Sequence, residues 1–419
     1  MIALAVAFAA GLPAARLADR NAPLLRLIGE AMLLGIAMCS ATLFALSCLR
    51  IAWSPGWTIV FLLVIAIALA IVATHDMGWS VARDSLHWVD LLTLGTLAGY
   101  TLFATVAHSA ENDSIAIWGL KGAVFFVHRG IDWTFLQNPW YVWDHPDYPL
   151  LLPLSLDFLA LFRGAWDGAL AGLLHPFFAA AIVTIVRSML GDEFPPLPAS
   201  IATLAIAPLA MSPWIGMAEG PLIAFGTAGV LLARRGNMFG ASLLLGCAAL
   251  TKNEGLALIA AVAMGLLLAR RGRDVVRLWP AVAVALPWLI ARIVFSLPTD
   301  IATGPLLERL VERLRSPGAI VAALAANVPG MRLLCFGIVA ALLLTARFAR
   351  DEAFALGAMA AQIAFYVAVY VVTPRDLEWH IRSSWERLVT HVALTLGFVA
   401  VVLLFRWISS SEPSAARSA

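Results

Sequence analysis

Charged side chains are few in this chain, and those whose spacing suits chemistry gather in a handful of short stretches between apolar runs. The first stretch, ENDSIAIWGLKGAVFFVH (111–128), follows a long apolar run and carries Asp113, Lys121 and His128. At 3.6 residues per turn these three fall within about a quarter of a helix's circumference, with Ile115, Trp118, Phe125 and Phe126 elsewhere. The pattern predicts an amphipathic helix lying in a membrane interface. A carboxylate held near a substrate hydroxyl can act as a general base, and Asp113 is placed for that role. The competing reading makes Glu111 and Asp113 helix caps, because acidic residues favour a first turn.

The second stretch, NPWYVWDHPDYPLLLP (138–153), packs Asp144, His145, Asp147 and Tyr148 between aromatics and prolines. Asp, His and Asp this close suit a divalent metal, and rings beside carboxylates suit a sugar. The alternative is an ordered loop, stiffened by Pro139, Pro146, Pro149 and Pro153, whose Trp140, Tyr141 and Trp143 form an aromatic belt. The third stretch, TKNEG (251–255), interrupts apolar sequence with Lys252 and Glu254. Ionisable groups there are costly unless paired or facing a polar cavity, and the alternative is a tight, solvated external turn. Glu219 in MAEGPL, at the outer end of a span, is placed to face the same cavity. The fourth stretch is EWHIRSSWERLVTH (378–391). His380, Ser384, Arg387 and His391 share one helix face, which makes a candidate anion site because guanidinium grips phosphate with two bonds. Arg382 lies off that face, where snorkelling to lipid headgroups accounts for it. Glu30 reads as structural, Gln362 lies within a span, and His108 and His175 read as helix-packing residues.

The elements that must position these groups are apolar. The chain has 419 residues, 62% hydrophobic and 13% charged, against about 25% charged in a soluble domain. Apolar spans lie near 1–15, 27–49, 57–74, 90–108, 168–186, 197–213, 216–234, 237–250, 254–269, 277–296, 331–347, 353–373 and 388–406. The fold class is therefore an all-α polytopic membrane protein with about thirteen transmembrane helices. The first span also has the look of a signal peptide, although it lacks a basic start. Residues 1–89 form N-terminal membrane helices, 90–406 the catalytic module with its external loop 109–167, and 407–419 a disordered internal tail. Arginines cluster in alternate loops: at 16, 20 and 26, at 83, at 187, at 234 and 235, at 270, 271, 273 and 277, and at 347 and 350. The positive-inside rule puts those loops inside, leaving 50–56, 109–167, 214–215, 251–253, 297–330 and 374–387 outside. Arg309, Arg313 and Arg315 run against this, partly balanced by Glu308 and Glu312. No basic stripe suits nucleic acid. Cys39, Cys48, Cys247 and Cys335 lie in apolar runs without metal-ligand spacing.

Taken together and in order, these stretches resemble the membrane glycosyltransferases of the GT-C superfamily, closest to the protein-mannosyltransferase-like and aminoarabinose-transferase-like branches. ENDSIAIWGLKG occupies the place of the family's acidic residue in the first large external loop. DHPDYPLLLPL resembles its His-Pro-x-Tyr-Pro segment, MAEGPLIAF a later acidic Pro-Leu segment with Glu219 where Asp is commoner, TKNEG a family turn, and WHIRSSWERL a Trp-His…Ser…Arg-Leu pattern. The resemblance spans about 111–390, and the three spans before the one that leads into the first large external loop suggest an N-terminal extension. It implies transfer of a sugar from a polyprenyl-phosphate donor, with membrane lipids as surroundings, at the outer face of a bacterial inner membrane. It casts Asp113 as the base, with Glu111 as the other candidate. Arg387, Lys252, His380, Arg382 and Ser384 would receive the donor phosphate. Lys121, Asp144, His145, Asp147, Tyr148, Glu219 and Glu254, with Glu111, would hold sugar or acceptor, and Asp144, His145, Asp147 and Tyr148 alternatively a divalent metal. Rival classes are a polysaccharide polymerase or ligase, and a lipid-linked-sugar transporter or flippase. The latter should show inverted repeats, and none is visible.

Overall fold

Inside a bilayer every backbone polar group must bond within its own segment, and each of the thirteen apolar runs is mostly helical over its described residues. The computed structural model describes residues 1–75, 82–107, 112–299, 305–327 and 332–411, with no strand among them. Six helices are long and apolar enough to cross a membrane: Leu24–Cys48, Pro55–Ala73, Leu170–Glu193, Gly272–Val294, Ala346–Val372 and Leu377–Ser410. Shorter apolar helices pack beside them, among them Ile2–Ala18, Asp90–Val106, Met238–Ala249 and Asn253–Leu268. Leu170–Glu193 is mostly buried and forms the middle of the bundle, whereas Pro55–Ala73, the most apolar of the six, is mostly exposed. A helix that greasy and that bare is suited to lipid.

Glycine sets two of the closest helix contacts. A Cβ at Gly11 would stand 2.0 Å from the Ala31 carbonyl oxygen, and one at Gly35 would stand 1.9 Å from that of Ala7. Helices Ile2–Ala18 and Leu24–Cys48 therefore meet backbone to backbone, as small residues allow in membranes. Gly265 plays the same part for Asn253–Leu268, where a Cβ would lie 2.6 Å from the Phe354 carbonyl oxygen of the helix Ala353–Val372.

Three sequence expectations need correction. Loop 109–167 contains a helix, Leu151–Arg163, whose residues 151–161 are all buried. It is short and carries Asp157, so it does not look like a span, yet it packs against Leu24–Cys48 and Leu120–His128. Its start is tied to the TKNEG turn by Leu151 N–H donating to Leu250 O at 2.9 Å. Second, segment 374–387 and span 388–406 largely belong to one 35-residue helix, Leu377–Ser411. At 1.5 Å per residue it reaches roughly 50 Å, well beyond a hydrocarbon core of about 30 Å. Third, Trp407 to Ser411 continue that helix, and the rest of the tail lies outside the described residues.

The helices divide the charges between two ends. At one end Arg187 pairs with Asp90 at 2.7 Å, Arg26 with Asp192 at 3.0 Å, and Arg234 with Glu193 at 2.8 Å and Glu352 at 2.6 Å. These are the arginine-rich loops. The candidate site residues lie at the other end. Arg313, which ran against the charge rule, donates to the Arg375 carbonyl oxygen at 3.5 Å, which puts its helix at the site end.

Candidate functional site

Asp113 stands immediately before a π-helical turn, Ser114–Gly119, that runs into the helix Leu120–His128. Such turns are rare and recur at functional sites. The wider turn breaks the 3.6-residue count, so the expected amphipathic surface helix is not what forms. Lys121 is turned inward and buried, while Ile115 and Val127 are exposed. Asp113 makes no capping hydrogen bond. Its carboxylate instead accepts from Arg387 Nη1 at 2.6 Å. Glu111 lies outside the described residues.

Arg387 is the hub. The same Nη1 is 3.8 Å from Glu219 Oε1, and Glu219 accepts from Lys252 Nζ at 3.1 Å. Lys252 also pairs with Glu254 at 3.1 Å. The TKNEG turn is thus not a solvated loop, because Lys252 is buried. Burial pulls its ammonium down, but Glu219 and Glu254 outweigh this and hold it above the usual lysine range. Glu219 is the first residue of the helix Glu219–Arg234. The loop before it is pinned twice. Gly216 N–H donates to His175 Nε2 at 3.0 Å, and Tyr100 O–H donates to Ser212 O at 2.7 Å. His175 braces this loop through Nε2, whereas His108 lies outside the described residues.

The helix Leu377–Ser411 presents its polar face to Ala353–Val372. Ser384 bonds Tyr370 Oη at 2.7 Å, and His380 Nδ1 meets Thr373 Oγ1 at 2.8 Å. His391 Nδ1 meets Tyr366 Oη at 3.0 Å, and Gln362 donates to that hydroxyl at 2.8 Å. His391 lies within electrostatic reach of Lys252, Glu219, Glu254 and Arg387. Of the expected phosphate residues, Arg387 and Lys252 share one cluster, and Ser384 and His380 line the same face. Arg382 is exposed and makes no ion pair among the described residues. Five of the twenty buried polar atoms without a hydrogen-bond partner among the described residues lie here: Glu219 Oε2, Glu254 Oε2, Arg387 Nε, Gln362 Oε1 and His391 Nε2. Each such atom is costly in a native interior, so these five are free to bond a ligand or water.

The stretch 138–153 forms the adjoining wall. Lys121 Nζ donates to the His145 carbonyl oxygen at 2.6 Å and lies 5.4 Å and 5.8 Å from the ring centroids of Trp118 and Tyr148. Burial pushes Lys121 down to about 7, against the pull of Asp147 and Asp144. Burial likewise pushes Asp144 up, opposed by Lys121 and His145. The His145 and Tyr148 rings stack 4.4 Å apart, and Tyr148 interacts electrostatically with Arg387. Asp147 is buried and pairs with Arg292 at 3.2 Å. The metal expectation finds no donor set, because no three His, Cys, Asp or Glu side chains among the described residues are placed to hold one ion. Trp140 and Trp143 are exposed, as an aromatic belt would be. Arg375 lies over both Trp143 and Trp379, at 5.2 Å and 5.4 Å.

Sequence reasoning missed Arg292, which sits near the end of the helix Trp279–Val294 and reaches Asn253 Oδ1 at 3.5 Å as well as Asp147. It joins the wall to the Lys252 turn. An arginine inside an apolar span was the available signal. Tyr366 and Tyr370 were missed too, for they carry no charge and read as ordinary span residues. No protein-family model, curated protein or solved structure matches the chain.

Proposed function

We propose that the chain is a membrane glycosyltransferase that moves a sugar from a polyprenyl-phosphate donor to an acceptor hydroxyl at the outer face of a bacterial inner membrane. One observation carries the reading: Asp113, Glu219, Lys252 and Arg387, from four separate segments, converge at one end of a helical bundle. In this reaction Asp113 takes the acceptor proton, and the acceptor oxygen bonds the anomeric carbon. The bond from that carbon to the phosphate oxygen breaks on the opposite face, so configuration inverts. The electron pair leaves with the phosphate, whose charge Arg387 and Lys252 receive.

Three carboxylates against two cations leave the resting cluster of Asp113, Glu219, Glu254, Lys252 and Arg387 with one net negative charge. A phosphate therefore enters by taking Arg387 from Asp113, and that exchange frees the base as the donor binds. An apolar cleft of about 430 Å³ runs between Asn253–Leu268 and Trp279–Val294, lined by Leu256, Ile259, Val282 and Leu289. It suits an isoprenoid tail whose headgroup rests near Lys252. The stacked His145 and Tyr148 rings, with Asp144 and Glu254, suit sugar hydroxyls and faces. About thirteen spans, with 109–167 and 374–387 external, belong to the same proposal.

The test is turnover by the purified chain in vesicles, given a labelled polyprenyl-phosphate sugar and an extract of cell-envelope lipids and glycans. Expected is release of polyprenyl phosphate with the label on an acceptor. Label that crosses the bilayer on an unchanged carrier supports a flippase instead.

A further inference from the structure

At the end of the bundle remote from Asp113, a cleft of about 420 Å³ opens between the end of Asn253–Leu268 and the start of Ala353–Val372. Arg234, Arg270, Arg271 and Arg350 line it, against Asp351 and Glu352. The acids are held by other arginines: Glu193, Asp351 and Glu352 share Arg234 and Arg406, which leaves one negative charge over among these five. Glu352 is buried and takes Arg234 at 2.6 Å and Arg406 at 3.4 Å, and Asp351 faces Arg406 at 3.6 Å. Arg271 is held by Asp274 at 2.9 Å and donates to the Ala233 carbonyl oxygen at 2.9 Å. Arg270 and Arg350 remain, both exposed, and neither forms an ion pair among the described residues. The positive end of the Ala353–Val372 helix dipole adds to their field. One wall is apolar, made by Leu268 and by Phe354, whose ring lies 5.3 Å from the Arg271 guanidinium carbon.

We propose that this cleft binds the phosphate headgroup of an anionic phospholipid in the leaflet at that end of the bundle. Two guanidinium groups without an ion pair among the described residues, against one leftover negative charge, supply the charge and hydrogen bonds that phosphate takes. They stand at the ends of apolar helices, where lipid headgroups would meet a membrane-embedded bundle. The apolar wall suits the glycerol and upper acyl carbons that a free phosphate lacks. Basic clefts between membrane helices recognise anionic lipids on this physical ground. The cleft is separate from the Asp113 site. Glu219 and Arg234 stand at opposite ends of one 16-residue helix, a rise of roughly 24 Å.

The test is native mass spectrometry of the full chain in detergent, titrated with phosphatidylglycerol, with phosphatidylcholine or with inorganic phosphate. Wild-type protein is expected to retain phosphatidylglycerol in preference to phosphatidylcholine. The Arg270→Gln, Arg350→Gln double variant should bind phosphatidylglycerol about thirtyfold more weakly and phosphatidylcholine unchanged. If the double variant fails to fold, Arg270→Gln or Arg350→Gln alone should show a loss of about fivefold. Arg387→Gln, at the other end, should keep the preference. Equal phosphatidylglycerol retention by wild type and the glutamine variants overturns the proposal, as does a preference lost only in Arg387→Gln. Inorganic phosphate binding as tightly as the lipid overturns it too, by making the ligand a free anion.

Discussion

The Asp113 carboxylate and the Arg387 guanidinium, 274 residues apart in the chain, meet at 2.6 Å. This contact ties the start of the first large loop to the last membrane helix. It also separates two readings of Asp113. A cap would bond its own helix, and Asp113 does not. Asp113→Asn is nearly isosteric and removes only charge and basicity. Because the pair is partly exposed, its loss should cost at most about 1 kcal/mol of stability. Turnover should fall at least about a hundredfold. Protein yield, thermal stability and transfer, measured together, check this. Near-normal transfer in Asp113→Asn removes it as the base and moves attention to Asp147 or Glu111.

Arg387→Lys should weaken use of the donor more than use of the acceptor. Lysine keeps the charge but loses the planar fork that grips two oxygens. One strong charge-assisted contact is worth about 2 kcal/mol, or roughly thirtyfold in donor efficiency. Ser384→Ala and His380→Ala should give smaller losses of the same kind, and exposed Arg382→Ala the least. Steady-state kinetics with varied polyprenyl-phosphate sugar separates these variants. Unchanged donor dependence in Arg387→Lys, beside a loss in Arg382→Ala, means the wrong arginine was assigned.

Arg292 and Asp147 form an unequal pair, with the aspartate side chain 2% exposed and the arginine 26%. Arg292→Met leaves a buried carboxylate unpaired, which should destabilise by about 2 kcal/mol once partial screening is allowed for. Asp147→Asn leaves the exposed partner unpaired and should cost less. The double variant should recover much of the Arg292→Met loss. Thermal unfolding in detergent reads all three. Additive losses in the double variant would show that the two side chains do not act as a pair.

Lys121 predicts a pH effect. Its folded-state pKa, about 7, lies below the ordinary value of about 10.4. Between these values the unfolded chain binds the extra proton, so stability rises as pH rises. The gain from pH 7 to pH 8.5 should be about 1.5 kcal/mol, and it should be absent in Lys121→Met. Thermal unfolding of both proteins across that range measures it. A wild-type stability that falls from pH 7 to pH 8.5 contradicts the assignment.

Much of this arrangement was legible in the sequence because charge is so costly in an apolar chain. Lys252, Glu219 and Glu254 stood out as interruptions of membrane helices, and buried Lys252 and Glu219 form one cluster with half-buried Glu254. The shared face of His380, Ser384, Arg387 and His391 was legible because helical periodicity is local, and one long helix carries it. What failed was long-range or irregular. The π-helical turn at Ser114–Gly119 upset the face assigned to Lys121. The buried helix Leu151–Arg163 hid in a loop because it is too short to read as a span. Arg292 hid in a span because one charge near a helix end looks like snorkelling. Its partners, Asp147 and Asn253, are 145 and 39 residues away, and no local pattern joins them.

The most direct measurement is a structure of the chain with a polyprenyl monophosphate bound. The phosphate is expected within hydrogen-bond distance of Arg387 and Lys252, with Asp113 released from Arg387 and the isoprenoid tail along the cleft lined by Leu256 and Leu289. A phosphate bound elsewhere, with the Asp113–Arg387 contact intact, contradicts the proposed donor site.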